Sequence, residues 1–173
     1  MTAAPTPGQT VGPFFGYALP FPRDNELVPP GAPGAVRLHG RVLDGAGDPV
    51  PDAILELWQT DADGTVVQEQ GSLRRDPTRF TGFGRASTDA EGHYSFTTLI
   101  PGAPFFAVTV FARGLLNRLF TRAYLPDADD ALLRSLDQDR RSTLVVTRDA
   151  TGFVFDVHLQ GERETVFLTY PRH

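Results

Sequence analysis

The sequence predicts an all-β protein folded as an antiparallel β-sandwich. Short segments that alternate between apolar and polar residues recur along the chain, which is the period-two pattern of half-buried strands. Turn-forming residues separate these segments, and the 173 residues include 17 Gly and 15 Pro. A single segment has the spacing of an amphipathic helix. Seven or eight short strands joined by turns are typical of a sandwich with sheet packed on sheet.

A β-hairpin around which the core is organised is predicted at Leu38–Gln59, whose sequence is LHGRVLDGAGDPVPDAILELWQ. Its first half alternates small or apolar residues with polar ones. The stretch DGAGDP at 44–49 concentrates turn formers, because Gly permits a positive φ, Pro fixes φ and Asp hydrogen-bonds its own backbone. In the second half, alternate residues from Ala53 to Leu57 point to one face. Trp58, the only Trp, is expected in the core.

Further strands and one helix complete the predicted fold. The strands are expected around Tyr94 and Phe96 and at Phe105–Ala112, Thr121–Leu125, Ser142–Thr147, Gly152–Leu159 and Thr165–Thr169. The helix is predicted at Asp127–Leu136, because acidic residues open it, Arg134 lies near its end and leucines form an apolar stripe. Thr65–Arg79 is polar and charged, which indicates a surface excursion.

Composition and charge exclude several classes of protein. Hydrophobic residues make up 40% of the chain and charged residues 21%, as in a globular protein with a core. A net charge of −5 argues against nucleic acid and anionic membranes as partners, because both require a basic face. The absence of Cys excludes disulfides and thiolate chemistry, and no apolar run approaches the ~20 residues of a membrane span. Without a signal-peptide pattern, a cytoplasmic location is expected.

The sequence predicts an N-terminal arm followed by a Pro/Gly-rich connector at residues 1–34. It predicts one β-sandwich domain at residues 35–173. The arm contains QTVGPFFGY at 9–17, whose aromatic residues lie outside any evident strand or helix. Leaving apolar surface in water costs about 25 cal/mol per Å². The aromatic side chains should therefore dock, either as a plug over the end of the chain's own core or as a wall against an active site or a partner. The sequence alone leaves both alternatives open.

No catalytic or metal-binding set is evident among the side chains. The four His residues are widely spaced, so no two of them form the close clamp of a metal site. His93 and Tyr94 are an N/O pair, but they follow a turn signature, which favours a structural role. Arg113 is the residue to inspect, because a guanidinium at the end of an apolar strand can bind a carboxylate in bidentate fashion. An ordinary exposed or structural Arg is the alternative.

Five segments of the chain together carry a family resemblance. They are QTVGPFF at 9–15, GRVLDGAGDPVPDAILELWQTDADG at 40–64, GRASTDAEGHYSF at 84–96, APFFAVTVFARG at 103–114 and FVFDVHLQGERETVF at 153–167. They resemble the intradiol ring-cleavage dioxygenases over nearly the whole chain from Gln9. The segment at 40–64 alone is also similar to prealbumin-like binding modules, so a stand-alone module of that kind is one alternative. The combination with FARG and FDVHLQGERETVF is much more specific for the dioxygenases.

The resemblance implies that this chain is a non-catalytic subunit. Catalytic chains of the family hold ferric iron, Fe(III), with two Tyr and two His, and both His lie just before a core strand. Here Phe105 and Ala107 stand where those His would be, and apolar side chains cannot bind iron. The resemblance thus implies no catalytic and no metal-binding residues in this chain, with Fe(III) bound by a partner beta subunit in a hetero-oligomer. The rival interpretation is an iron enzyme acting alone through His93, Tyr94 and His158.

The resemblance also assigns this chain part of the substrate-pocket wall. The residues that match this role are Thr10, Gly12, Pro13, Phe14 and Arg113. They would border the active-site cleft of the beta subunit, where a small aromatic diol that carries a carboxylate reacts with O2. A nearby cation is electrostatically suited to such a substrate. The family often has Tyr at the position of Phe14, so any hydrogen bond from that hydroxyl is absent here.

Overall fold

Two β-sheets form the body of the protein. The computed structural model describes residues 8–67, 76 and 78–170. The helices are α1 (Phe15–Ala18), α2 (Ala131–Ser135) and α3 (Gln138–Ser142). The strands are β1 (Ala35–Leu43), β2 (Ile54–Trp58), β3 (Phe83–Ser87), β4 (His93–Leu99), β5 (Phe105–Phe111), β6 (Leu119–Tyr124), β7 (Thr147–Arg148), β8 (Phe153–Val154) and β9 (Val157–His158). Strands β4, β5 and β6 lie where the sequence predicts them.

The sheets pair their strands in different ways. The first sheet has the order β4-β1-β8-β7, and β9 also pairs with β1. Within it, β1 runs antiparallel to β4, whereas the two-residue strands β8 and β9 run parallel to β1. The second sheet has the order β3-β2-β5-β6, and all its pairs are antiparallel. The predicted β-sandwich is therefore confirmed, and the pairs between its named strands are antiparallel apart from β1–β8 and β1–β9.

The core lies between the sheets and is filled by alternate residues of the strands. Leu38 and Val42 of β1 are fully buried, as is Phe106 of β5, and they belong to one apolar cluster. Burying a side chain of this size stabilises the folded state by about 1.5–3 kcal/mol. The period-two interpretation of these strands is confirmed. Their opposite faces remain available for contacts outside the core.

The predicted hairpin at Leu38–Gln59 is wrong beyond its turn. The turn forms, since the Val50 N–H donates to the Val42 carbonyl at 2.9 Å. The chain then bends at Pro51 and Asp52, and β2 joins the second sheet while β1 remains in the first. Pro has no N–H to continue a hydrogen-bond ladder, so the pairing ends there. The segment therefore links the two sheets instead of forming one pair of strands.

Trp58 lies at the surface, which corrects the expectation that it is in the core. Its side chain is 45% exposed, and Phe83 of the neighbouring strand covers part of it with ring centroids 4.6 Å apart. The alternation of β2 explains the position. Leu55 and Leu57 fill the inward face, so Trp58 belongs to the outward face.

The predicted strand at Gly152–Leu159 is split into β8 and β9. At the break, the Asp156 carboxylate accepts the backbone N–H of Arg41 at 2.9 Å, so a side chain replaces a bond of the ladder. The backbone of Phe155 also approaches Gly40 closely, and a Cβ at Gly40 would lie 2.0 Å from the Phe155 carbonyl oxygen. Only Gly fits at this close approach of the two backbone segments.

Three other predicted elements are shorter than expected. The helix predicted at Asp127–Leu136 is reduced to α2, because the Asp130 carboxylate accepts the Leu132 N–H at 2.8 Å and caps the helix there. The predicted strand at Ser142–Thr147 starts at the end of α3 and leaves only Thr147 in β7. The strand predicted at Thr165–Thr169 is limited to a single bridge to β6.

The connector packs on the first sheet. Leu27 is buried in the main core cluster, and its N–H donates to the Thr97 carbonyl at 2.8 Å. Strand β1 begins just after the connector, at Ala35. The division into an arm with connector at 1–34 and a domain at 35–173 stays a prediction.

Most of the surface excursion predicted at Thr65–Arg79 lies outside the described residues, which omit 68–75 and 77. The described part is almost entirely exposed or half-buried, as expected for an excursion. Among the helices of the described residues, none has the length and apolar character required to cross a membrane.

Candidate functional site

The five predicted pocket-wall residues lie at the protein surface. Thr10, Gly12, Pro13 and Phe14 are exposed on the arm, and Arg113 is exposed just beyond β5. Phe14 is 76% exposed and precedes the one-turn helix α1. A side chain this open to solvent does not plug the core.

The aromatic residues of the arm divide into two groups. Phe15 is half-buried, whereas Phe14 and Tyr17 are 76% and 86% exposed. The plug alternative would bury all three of these rings. Exposed aromatic side chains close together on one segment are typical of a surface that binds a partner. The structure thus favours docking on a partner for Phe14 and Tyr17.

A hydrogen bond ties the arm to the end of β5. The Gly114 N–H donates to the Thr10 hydroxyl oxygen at 2.8 Å. Gly114 has a φ of +90°, in the left-handed region that Gly adopts without strain. The turn that follows Arg113 therefore places Thr10 beside this arginine. The structure brings together two of the five predicted residues in this way.

The register of β2 and β5 brings a carboxylate to Arg113. Ile54 pairs with Phe111 at the end of the ladder, so Asp52 and Arg113 are opposite each other two residues further along. Their side chains form an ion pair, in which the closest atoms are Nε of Arg113 and Oδ2 of Asp52. The side chain of Arg113 is 55% exposed and that of Asp52 is 24% exposed. Sequence reasoning missed Asp52, because only the register of two strands reveals the pair.

The other end of the arm is anchored near the same carboxylate. Gly16 of α1 lies against Asp52, since a Cβ built on Gly16 would be 3.9 Å from the Asp52 Cβ. Beyond α1, the Arg85 guanidinium donates to the Leu19 carbonyl at 3.2 Å. The segment 11–15, which contains three of the predicted wall residues, therefore lies between two anchored points.

Phe105 and Ala107 mark the place where the family resemblance would put two His ligands. Both belong to the outward face of β5, opposite the buried Phe106. The guanidinium carbon of Arg122 lies 4.1 Å from the centre of the Phe105 ring, within the range of a cation–π contact. Ala107 is the direct ladder partner of Arg122. A guanidinium and an aromatic ring thus occupy this place.

Arg122, Tyr124 and Asp130 form a hydrogen-bonded network beside Phe105. Arg122 Nη1 donates to the Tyr124 hydroxyl at 3.0 Å, and that hydroxyl donates to Asp130 Oδ1 at 2.9 Å. Burial raises the pKa of Tyr124, so the phenol keeps its proton. Burial also opposes ionisation of Asp130, but the Leu132 N–H, the Tyr124 hydroxyl and the Arg122 charge outweigh it and hold its pKa below the ordinary value.

Within the described residues, one exposed group combines side chains that could hold a metal ion: Asp89, Glu91 and His93, whose ligand atoms lie within 4.8 Å of one another. Asp89 Oδ1 is already engaged by the N–H groups of Glu91 and His93, at 3.0 and 2.8 Å, as in an ordinary turn. Arg41 Nε donates to His93 Nε2 at 2.8 Å. A guanidinium on the ring nitrogen opposes binding of a cation there, so the structural interpretation of His93 is favoured.

The condition of Tyr94 argues against the rival iron site at His93, Tyr94 and His158. Tyr94 is buried and donates its hydroxyl to the Phe155 carbonyl at 2.6 Å, and burial raises its pKa well above the ordinary value. It therefore remains a neutral phenol directed at the core. His158 is half-buried, and burial together with the charge of Arg163 lowers its pKa.

Comparisons with known proteins agree with this scaffold. The family model described as Dioxygenase matches residues 11–127. The protocatechuate 3,4-dioxygenase alpha chain of Burkholderia cepacia is 39% identical, over 96% of this chain and 98% of the relative. The protocatechuate 3,4-dioxygenase beta chain of the same organism is 32% identical, over 88% of this chain and 78% of the relative. This chain belongs to the intradiol ring-cleavage dioxygenase family.

A solved structure shares the fold over most of its length. The dioxygenase domain of a dioxygenase carbohydrate-binding protein fusion from Streptomyces sp. SirexAA-E superposes with a TM-score of 0.57 at 26% identity, covering 91% of this chain and 99% of that one. The family resemblance inferred from the sequence motifs is confirmed. The alpha chain is matched at higher identity and over more of its length than the beta chain.

Proposed function

We propose that this chain is the non-catalytic alpha subunit of a protocatechuate 3,4-dioxygenase. The support is the match along almost the full length of both chains to an alpha chain of that enzyme. The assembled enzyme would open the ring of 3,4-dihydroxybenzoate between its two hydroxylated carbons. Both atoms of O2 would enter the product, 3-carboxy-cis,cis-muconate. The proposed partner is the beta subunit of the same hetero-oligomer.

The side chains of this chain do not fit Fe(III) at the place marked by Phe105 and Ala107. Neither of these residues has a donor atom, and the guanidinium of Arg122 has positive charge and no lone pair to offer a metal. Tyr124 keeps its proton, so it does not present a phenolate. We therefore assign Fe(III) to the beta subunit, where it would supply a Lewis acid for the diol oxygens.

The contribution of this chain to the cleft would be positioning and charge. Arg113 would face the carboxylate of the substrate, because a guanidinium presents paired donors that match a carboxylate. Thr10, Gly12, Pro13 and Phe14 would form the adjoining wall and keep water from that side of the substrate. The observation that carries this role is the exposed aromatic arm held beside a half-exposed arginine by the bond from Gly114 to Thr10.

Replacing Arg113 in the assembled enzyme tests the proposal. Co-expression of this chain with the neighbouring reading frame should give a coloured iron complex, in which Arg113→Ala raises the KM for protocatechuate about tenfold and leaves kcat within about twofold. Arg134→Ala is a matched control, since Arg134 is 59% exposed and pairs with Asp129 at 2.5 Å. An unchanged KM for Arg113→Ala would remove this residue from the pocket.

The same preparation separates the two alternatives. A colourless monomer that ignores the neighbouring chain would indicate a stand-alone prealbumin-like module. A purified chain that alone binds iron and consumes O2 with protocatechuate would indicate an independent iron enzyme. Either result would overturn the assignment of roles to the two subunits.

A further inference from the structure

Asp52 is a carboxylate at the proposed pocket wall to which the family resemblance gives no role. It follows Pro51 in the bend between the sheets, and the β2–β5 register sets it directly across from Arg113. Among the described residues, Asp52 is the one ion-pair partner of Arg113. The closest atoms of the contact are Nε of Arg113 and Oδ2 of Asp52. A guanidinium carries further N–H donors on its two terminal nitrogens, which suit a second carboxylate.

Asp52 also contacts the arm, so it links the two parts of the proposed wall. Gly16 packs against its Cβ and its carbonyl oxygen, with a Cβ on Gly16 placed 3.9 Å from each. The side chain of Asp52 is 24% exposed, whereas that of Asp129, in the ion pair with Arg134, is 77% exposed. Asp52 is thus held by its surroundings, while Asp129 lies open in solvent.

We infer that Asp52 is a positioning residue that holds the Arg113 guanidinium toward the carboxylate of the substrate. The inference rests on the proposed function, in which Arg113 borders the cleft. An exposed ion pair contributes little to stability, so its main physical effect here is to restrict the arginine to one direction. A guanidinium already oriented loses less conformational entropy when it binds its ligand.

The inference makes a prediction about binding in the assembled enzyme. Asp52→Asn keeps the size of the side chain but removes its charge, and it should raise the KM for protocatechuate about fivefold with kcat within about twofold. Catechol, the same diol without the carboxylate, should bind as before in a competition assay. Asp52→Glu keeps the charge and should recover most of the affinity for protocatechuate. Asp129→Asn is the control and should change neither value.

A double variant tests whether Asp52 acts through Arg113. Asp52→Asn combined with Arg113→Ala should have the KM of Arg113→Ala alone, because a positioning residue has no effect once its target is gone. Additive effects, or an unchanged or lower KM for Asp52→Asn, would overturn the inference. If Arg113→Ala raises the KM and Asp52→Asn does not, only the positioning role fails. If Arg113→Ala itself has no effect, the proposed wall role of Arg113 fails first.

Discussion

Two parts of the second sheet contrast in how their charged and aromatic groups are satisfied. Beside Phe105, the guanidinium of Arg122 stacks on a ring and joins a network with Tyr124 and Asp130. At the opposite end of β5, Arg113 is 55% exposed with a single ion-pair partner among the described residues. The first region is complete within this chain, whereas the second leaves donors and aromatic surface facing solvent.

The difference separates a region that is stabilised by contacts within this chain from a region that is open to a second molecule. Internal contacts fill the place that the family resemblance associates with iron, and the Arg122 guanidinium there offers no lone pair to a metal cation. The edge formed by the arm and Arg113 is open and can complement a second molecule. In physical terms, the first region supports the fold of this chain and the second is suited to recognition. The predictions below test each side of the contrast.

The largest expected effect is on the closed region. Asp130→Ala removes the cap of α2, worth about 1 kcal/mol. It also leaves the Tyr124 hydroxyl without its acceptor, which adds about 1–2 kcal/mol. Thermal unfolding should show a Tm lower by about 4–12 °C for a chain of this size. Asp129→Ala, next to it and 77% exposed, should change stability by less than about 0.5 kcal/mol. Equal effects of both substitutions would contradict the network.

The pH dependence of stability isolates the charge of Asp130. Its pKa in the folded state lies below the ordinary value of 3.8, so the ionised carboxylate favours folding. This contribution is present above pH 3.8 and is lost as the pH falls through the folded-state pKa. The stability difference between the native chain and Asp130→Asn should therefore be constant near neutral pH and shrink in acid. A difference that grows in acid would reverse the sign and refute the assignment.

A smaller effect, on binding and not on stability, is expected at the open edge. Phe14→Ala and Tyr17→Ala should leave Tm unchanged, since both side chains lie mostly in solvent. Each should raise the Kd for the beta subunit about tenfold, because buried aromatic anchors dominate interface energy. Val66→Ala is the control, as Val66 is 67% exposed away from the arm. A Kd that stays constant for both aromatic variants would show that the arm does not bind the partner.

The sequence predicted the parts of the fold that depend on local pattern. Alternation in β1 and β5 identified the buried residues Leu38, Val42 and Phe106, because each strand has one face in the core. The prediction from alternation failed where the fold depends on which strand pairs with which. The bend at Pro51 sends β2 to the other sheet, and this change cannot be read from periodicity, which is the same in either sheet. Trp58 was wrongly expected in the core for a related reason. The packing of one sheet on the other decides which face of β2 points outward, and Trp58 lies on that face.

The sequence motifs nominated the residues of the proposed site, which stay a prediction, but they did not show the contacts that these residues make. The motifs identified Thr10 and Arg113, and the structure adds the bond from Gly114 that brings them together. Asp52 could not be predicted, because a carboxylate in a turn has no sequence signal for a distant arginine. The link from Arg122 to Asp130 was missed in the same way, since Asp130 was predicted only as part of a helix start.

The central claim is that a sister chain, and not this one, binds the iron of the proposed enzyme. An anomalous difference map recorded at the iron absorption edge on crystals of the co-expressed complex tests it directly. We expect an iron peak coordinated by side chains of the beta subunit, with no peak beside Phe105 and Arg122. Iron coordinated by residues of this chain at that position would contradict the claim.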